Sequence, residues 1–189
     1  MMQGTYYKEW SRMLGREMEF KVYGTAGVPV LALPARGGRI YDWEINGIHD
    51  AVASLLSSGK LQLFTADGID AESLLAGDAA PRRRAEMQEK YFNYLSTELA
   101  ARKPAAVVSV EACGANTVGV CHNAVGLDVT ALQARSDVLW DTLRANGVPN
   151  IAIGDLGNEI GMGTIAEHIK KYVPFTAEGE CQCGCGGGI

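Results

Sequence analysis

The sequence predicts an α/β protein with three α/β/α layers around a mostly parallel sheet. Three observations carry this. Apolar runs of strand length alternate with segments of helical period. The run over 28–35 is continuously apolar, as in a strand buried on both faces, and 105–112 also reads as a strand. Of the 189 residues 47% are hydrophobic, enough for the core of one ordinary domain.

Taken in order, EMEFKVYG (17–24) alternates polar and apolar, the mark of a half-buried strand. VPVLALPA (28–35) follows, then RGGR as a tight loop. Ile48, Val52, Leu55 and Leu56 have helical spacing, with Gly59 as the stop. KLQLFTAD is a strand, and a polar loop runs on to Pro81. The longest helix is expected over 81–103, with Pro81 at its start and Pro104 past its end. AAVVSVEA is a strand, followed by a long loop. A helix is expected from about Thr130, capped by Asp128 or Thr130 and closed by Gly147. NIAIGD is a strand, and a helix starts near Thr164. The last stretch, PFTAEGECQCGCGGGI, has no readable period.

Net charge is −5, which argues against nucleic acid or an anionic membrane as partner. Arg82, Arg83 and Arg84 lie among acids and read as a solvated helix face. No run reaches the ~18 apolar residues of a membrane span. The N-terminal stretch has no apolar h-region, so the expected location is cytoplasmic. Five cysteines argue against a disulfide framework.

The chemistry concentrates in IAIGDLGNEIGMGTI (151–165). A strand delivers Asp155 at its carboxyl end, where ligands of open α/β sheets bind. Gly157, Gly161 and Gly163 permit sharp turns and close approach. Asp155 and Glu159 suit a base, an acid or metal ligands, and Asn158 an orienting amide. A loop capped by its own Asp and Asn explains one such residue well and three poorly. The other strand end gives Glu111, a carboxylate leaving an apolar run and in need of a partner. His122 and Asn123 can fold back over the same crevice. The catalytic candidates are therefore Glu111, His122, Asp155 and Glu159; the substrate-binding candidates are Asn123, Gly157, Asn158, Gly161 and Gly163.

Two stretches resemble known families. YYKEWSRMLGREMEFKVYG, PVLALPARGGRIYDWE, GKLQLFTADGID and RRRAEMQEKYFNYL resemble the N-terminal part of an esterase family of α/β-hydrolases. KPAAVVSVEACGANTVGVCHNAVGLDVT, NIAIGDLGNEIGMGTI and GECQCGCGGGI resemble the D-glutamate cyclase-like proteins. The division expected is an esterase-like segment, 1–96, and a cyclase-like segment, 97–189, joined near Tyr94–Lys103 and packed as one sheet. Each resemblance is partial, and an unfinished sheet leaves an exposed edge or an uncovered apolar face, which implies self-association or a loose C-terminal stretch after about Val173. The cyclase resemblance implies a lyase that closes D-glutamate to 5-oxo-D-proline with loss of water. Glu159 or His122 would then be the base and Asp155 the proton donor, with the helix start at Gly161–Gly163 holding a carboxylate. The partner implied is a small carboxylate or amino acid; no cofactor and no metal is assigned.

The rivals are an ester hydrolase and a composite that binds a small carboxylate without turnover. The esterase elbow G-x-S-x-G is absent from this sequence. Cys113, Asp155 and His168 keep the hydrolase chain order, but Glu111 and Ala115 stand where the elbow wants glycines. PARGGR could form an oxyanion loop, or Arg36 and Arg39 an anion site. Asp67 reads as a loop cap. CQCGCGGG could hold a soft metal with Cys113 or Cys121, though its C-x-C-x-C spacing is tighter than that of common zinc sites. Tyr91, Phe92, Tyr94 and Leu95 read as core.

Overall fold

The computed structural model describes residues 3–35, 37–133 and 135–188. One six-stranded sheet has the order β1-β2-β4-β3-β5-β6. Its strands are β1 (Thr5–Ser11), β2 (Arg16–Tyr23), β3 (Val28–Ala32), β4 (Leu61–Ala66), β5 (Ala106–Val110) and β6 (Asn150–Ile153). The pairs β3/β4, β3/β5 and β5/β6 are parallel; β1/β2 and β2/β4 are antiparallel. The sheet is mostly parallel, and the β3/β5 pairing makes it continuous across the 94–103 passage.

Alternation along the strands builds two cores. Leu31, Val107 and Phe64 face one side, where they meet Tyr91, Leu95, Leu139 and Leu143. Ala32 and Leu63 face the other, packing on Tyr23, Trp43 and Leu56. Helices α4 (Pro81–Asn93) and α5 (Ser136–Ala145) cover the first face. The short helices α1 (Asp42–Ile45), α2 (Ile48–Ala51) and α3 (Ala53–Ser57) cover the second. Tyr91 and Leu95 are thus core residues.

Several elements differ from expectation. Strand β1 has no sequence signature, because its first six residues are exposed; its partner β2 dictates it. The helix expected over 48–59 is broken at Val52 (φ −105°, ψ 9°), a β-branched residue drawn toward the Tyr23–Trp43 cluster. The longest helix is α-helical only to Asn93. A π-helical stretch spans Tyr94–Leu99 and a 3₁₀ turn Ala100–Arg102, with Lys103 left-handed. Ser96 and Thr97 donate their hydroxyls to the carbonyls of Phe92 and Asn93, which loosens the i→i−4 ladder there.

Helix α5 starts at Ser136, later than expected, because Asp128 and Thr130 serve the preceding loop instead. Asp128 accepts from the Thr130 N–H at 2.8 Å, and the Thr130 hydroxyl accepts from the Cys121 N–H at 2.9 Å. Gly147 follows α5 in the left-handed conformation, as its position predicts. At the far edge, Ile151 and Ile153 of β6 share one face, 54% and 53% exposed. Among the described residues no helix is long and apolar enough to cross a membrane.

Candidate functional site

Strands β5 and β6 are parallel neighbours, so their carboxyl ends release Glu111 and Asp155 side by side. The Glu111 N–H donates to the Ile153 carbonyl at 2.9 Å, continuing the ladder one residue past the strand. Glu111 then turns with φ 53°, a left-handed conformation that costs a non-glycine residue of order 1 kcal/mol or more. The two loops are stitched together. Gly114 N–H donates to Asn158 O at 3.0 Å, and Ile160 N–H to Ala112 O at 2.8 Å. Gly114 is required there, since a Cβ on it would lie 2.9 Å from Ile160 Cα.

This bridge turns Glu159 inward. It is 7% exposed. Its Oε1 accepts the N–H groups of Asp155 and Leu156 at 3.3 and 3.2 Å. Its Oε2 is buried without a hydrogen-bond partner among the described residues. Carboxylate oxygens of Glu111, Asp155 and Glu159 lie within 4.8 Å of one another, close enough to share protons or a divalent cation. Desolvation, then the charges of Asp155 and Glu159, push the Glu111 carboxyl above its usual range.

The three acids line a cavity of about 340 Å³ together with Asp70, Tyr91, His122 and Asn123. Its described lining holds no lysine or arginine. An adjoining cavity of about 490 Å³ shares Asn158 and Glu159 with it. Asn123, Gly157, Gly161 and Gly163 line this second space, as do Arg135 and Arg144. Arg135 is paired with Asp137 at 2.9 Å and Arg144 with Asp141 at 3.5 Å.

Three site residues stand otherwise than the sequence suggests. His122 lines the acid cavity, but its ring is engaged with the tail, Nε2 lying 3.1 Å from Cys183 Sγ. Its main chain stays at the site, its carbonyl accepting from Asn158 Nδ2 at 2.9 Å and Cys113 Sγ at 3.0 Å. Asn123 accepts the Val125 and Leu127 N–H groups at 3.1 and 2.9 Å, so its Oδ1 is occupied by its own turn. The helix start at Gly161–Gly163 is a 3₁₀ turn, Met162–Ile165, ahead of a seven-residue α6 (Ala166–Tyr172). So short a helix has little dipole to hold a carboxylate.

The rival features are also placed. Gly37 N–H donates to Asp70 at 2.7 Å and Gly38 N–H to Ala35 O at 2.8 Å, so neither is free to face an oxyanion. Asp67 is fully buried, accepts from Arg39 Nε at 2.7 Å, and is pushed up by desolvation despite that partner. Arg36 lies outside the described residues. The His168 ring lies tilted against Tyr172, centroids 4.8 Å apart, and lines neither cavity. Sequence reasoning passed over the orphaned Glu159 oxygen, Asp70 at the cavity wall and the tail cysteines facing His122, all products of loop packing.

The family that matches is the D-glutamate cyclase-like, C-terminal family, over residues 46–187. The chain belongs to it. The matched span crosses the 94–103 passage and reaches back into the esterase-like segment. No curated protein matches the sequence. Among solved structures, the chain is similar to MPT51 (FbpC1) of Mycobacterium tuberculosis, at 18% identity and a TM-score of 0.39, over 58% of this chain and 42% of that one. It is also similar to the S-formylglutathione hydrolase FrmB of Staphylococcus aureus, at 10% identity and a TM-score of 0.37, over 90% and 94%. The serine hydrolase FphF of the same organism gives 13%, 0.41, 90% and 88%. At these scores the likenesses carry no weight for activity, and the chain spans less than half the length of MPT51.

Proposed function

We propose that the Glu111–Asp155–Glu159 cluster is the reaction centre of a lyase that closes D-glutamate to 5-oxo-D-proline and water. The observation that carries the reading is the buried Glu159 carboxylate, one oxygen fixed by two backbone N–H groups and the other without a partner. A buried carboxylate oxygen left unpaired is costly, and a ligand ammonium would satisfy it. A lining of acids without a described cation favours an amino group over a carboxylate. The γ-carboxyl stays beside Glu111, and the α-carboxylate turns toward the adjoining cavity, where Asn158, Arg135 and Arg144 stand.

The reaction moves two protons from nitrogen to oxygen. Asp155 or Glu159 takes one from the ammonium and frees the lone pair. The amine attacks the γ-carboxyl carbon, forming the ring C–N bond. Glu111, whose carboxyl desolvation and the charges of Asp155 and Glu159 push upward, gives its proton to the departing oxygen. The second nitrogen proton follows through the same cluster, water leaves, and the acids return to their starting state. The His122 ring, engaged with sulfur, takes no part.

Asp155→Asn and Glu159→Gln decide the matter, with D-glutamate turnover measured as 5-oxo-proline formed. A loss of about 10²–10⁴-fold in each is expected if they carry proton transfer. Full activity in both variants removes the cluster from the mechanism. The ester-hydrolase alternative rests on the resemblance of the first segment and would use Cys113; turnover of a p-nitrophenyl ester, lost in Cys113→Ser, would select it. Stabilisation by D-glutamate without turnover would select the non-catalytic carboxylate binder.

A further inference from the structure

We propose that His122, Cys181, Cys183 and Cys185 form a structural zinc site that pins the C-terminal segment to the loop carrying the reaction centre. The ligand atoms of these four residues lie within 4.8 Å of one another. His122 Nε2 is 3.1 Å from Cys183 Sγ and 3.5 Å from Cys185 Sγ. Cys181 Sγ is 3.4 Å from Cys185 Sγ and 3.5 Å from Cys183 Sγ. A tetrahedral zinc with ~2.3 Å bonds to sulfur and ~2.0 Å to nitrogen needs edges of ~3.8 Å between sulfurs and ~3.5 Å from sulfur to nitrogen. These four of the six edges equal those lengths or fall a few tenths of an ångström short of them, so a small outward shift admits the ion.

Local chemistry explains how a C-x-C-x-C run reaches this geometry. Gly184 and Gly186 both adopt positive φ, 72° and 75°, and so curl the chain around Cys185. The segment is then clamped from outside the cluster. Gln182 N–H donates to Gly126 O at 2.9 Å, and its side-chain amide to Val125 O at 2.8 Å. Gly126 has a left-handed φ of 73°, which favours glycine, and a Cβ there would crowd Cys181 Cα at 3.1 Å. The turn that seats Gln182 is the one that follows His122, so the fourth ligand comes from the loop and not from Cys113 or Cys121. Cys113 is held elsewhere, its Sγ donating to the His122 carbonyl. His122 and Cys181 are buried, which limits exchange with solvent.

Three thiolates and one neutral imidazole give a soft donor set suited to zinc over magnesium or calcium. On binding, the three thiols release three protons and the complex carries one negative charge. No oxidant is required. The competing fate of the same sulfurs is a disulfide, which the 3.4 Å Cys181–Cys185 separation makes the pair to watch.

The test uses the full chain, prepared under reducing conditions with zinc, with metal content measured by mass spectrometry. About one zinc per chain is expected, and replacement by cobalt gives the charge-transfer and visible bands of a tetrahedral thiolate complex. Cys183→Ser and His122→Ala should each weaken zinc binding by at least ~10–100-fold. Cys113→Ser and Cys121→Ser should bind zinc like wild type. Zinc should also slow alkylation of Cys181, Cys183 and Cys185 in the unmutated chain, a readout that no variant's folding can confuse. Folded wild type without zinc overturns the proposal, as does zinc retained in His122→Ala or a Cys181–Cys185 disulfide in its place. Turnover of D-glutamate enters none of these readouts, so this site and the reaction centre stand or fall separately.

Discussion

Gly154 bears directly on whether Glu159 sits where the reaction requires. Its φ is not in the left-handed region, so its backbone tolerates alanine. The obstacle is the carboxylate itself. A Cβ at 154 would lie 2.6 Å from Glu159 Cδ and 2.7 Å from both Cγ and Oε2. A free glutamate tip would swing aside at little cost, but this one is held by the Asp155 and Leu156 N–H groups. Giving up hydrogen bonds to a charged acceptor costs ~1.5–3 kcal/mol each, and forcing extra volume into a packed site costs ~1–3 kcal/mol. The two routes are alternatives and the cheaper one sets the cost, so Gly154→Ala should destabilise the chain by about 1–3 kcal/mol. For a domain of this size that lowers Tm by about 2–12 °C. Turnover should fall as in Glu159→Gln, because the carboxylate leaves its seat. Shortening the clashing group in Gly154→Ala/Glu159→Asp should recover most of the Tm and little of the activity. The assay is a thermal melt paired with D-glutamate turnover. A Gly154→Ala variant with wild-type melting and full turnover would refute the placement of Glu159.

Other outcomes follow from the same geometry. The raised Glu111 pKa carries a definite sign: between its ordinary and its raised value the folded chain holds a proton the unfolded chain has lost, so stability falls as pH rises through that window. Glu111→Gln should therefore melt above wild type at neutral pH, with the gap closing below the ordinary glutamate range; an equal gap at every pH would assign the gain to something else. Arg39→Ala strands the fully buried Asp67 charge and should cost about 3 kcal/mol in urea titration, less the screening at the one-third-exposed guanidinium. Asp67→Asn, which removes a charge that burial already penalises, should cost less, and the reverse order would reject this account of the pair. The sequence proposes self-association through an incomplete sheet edge; if the exposed Ile151 and Ile153 of β6 carry it, it should appear as concentration-dependent sedimentation that Ile151→Lys/Ile153→Lys abolishes, and a monomer at all concentrations ends it.

The layer pattern was legible because burial writes itself into composition. VPVLA and AVVSV are apolar on both faces, and they became β3 and β5 at the sheet centre. Asp155 and Glu111 were legible for the same reason, as acids placed where apolar runs stop. What escaped was decided by non-local contacts. Strand β1 exists because β2 offers it an edge, which no residue of TYYKEWS announces. The helix after Asn93 unravels into π and 3₁₀ turns through the Ser96 and Thr97 hydroxyls, and propensity alone does not foresee this. At Gly161–Gly163 a 3₁₀ turn and a seven-residue helix follow where a longer helix was expected, because glycine spacing says where a chain turns but not how long the next helix runs. The direction of the His122 ring was likewise unreadable, since it depends on a segment some sixty residues on.

That direction ties the two sites together. The His122 ring faces the tail sulfurs, while its carbonyl holds Asn158 Nδ2 and Cys113 Sγ beside Glu159. A metal ion on Nε2 would fix the ring, and through it the peptide whose carbonyl seats the Asn158 amide. Asn158 O in turn accepts the Gly114 N–H that closes the two acidic loops on each other. Binding at the tail therefore restrains the same peptide that orders the carboxylates, although no sulfur touches them. The coupling has a separate readout, hydrogen exchange at the Gly114 and Ile160 amides. Both should slow when zinc is added to wild type and stay fast in Cys183→Ser. If zinc binds and these two amides exchange as before, the metal clamps the tail alone and the reaction centre is ordered by its own strands.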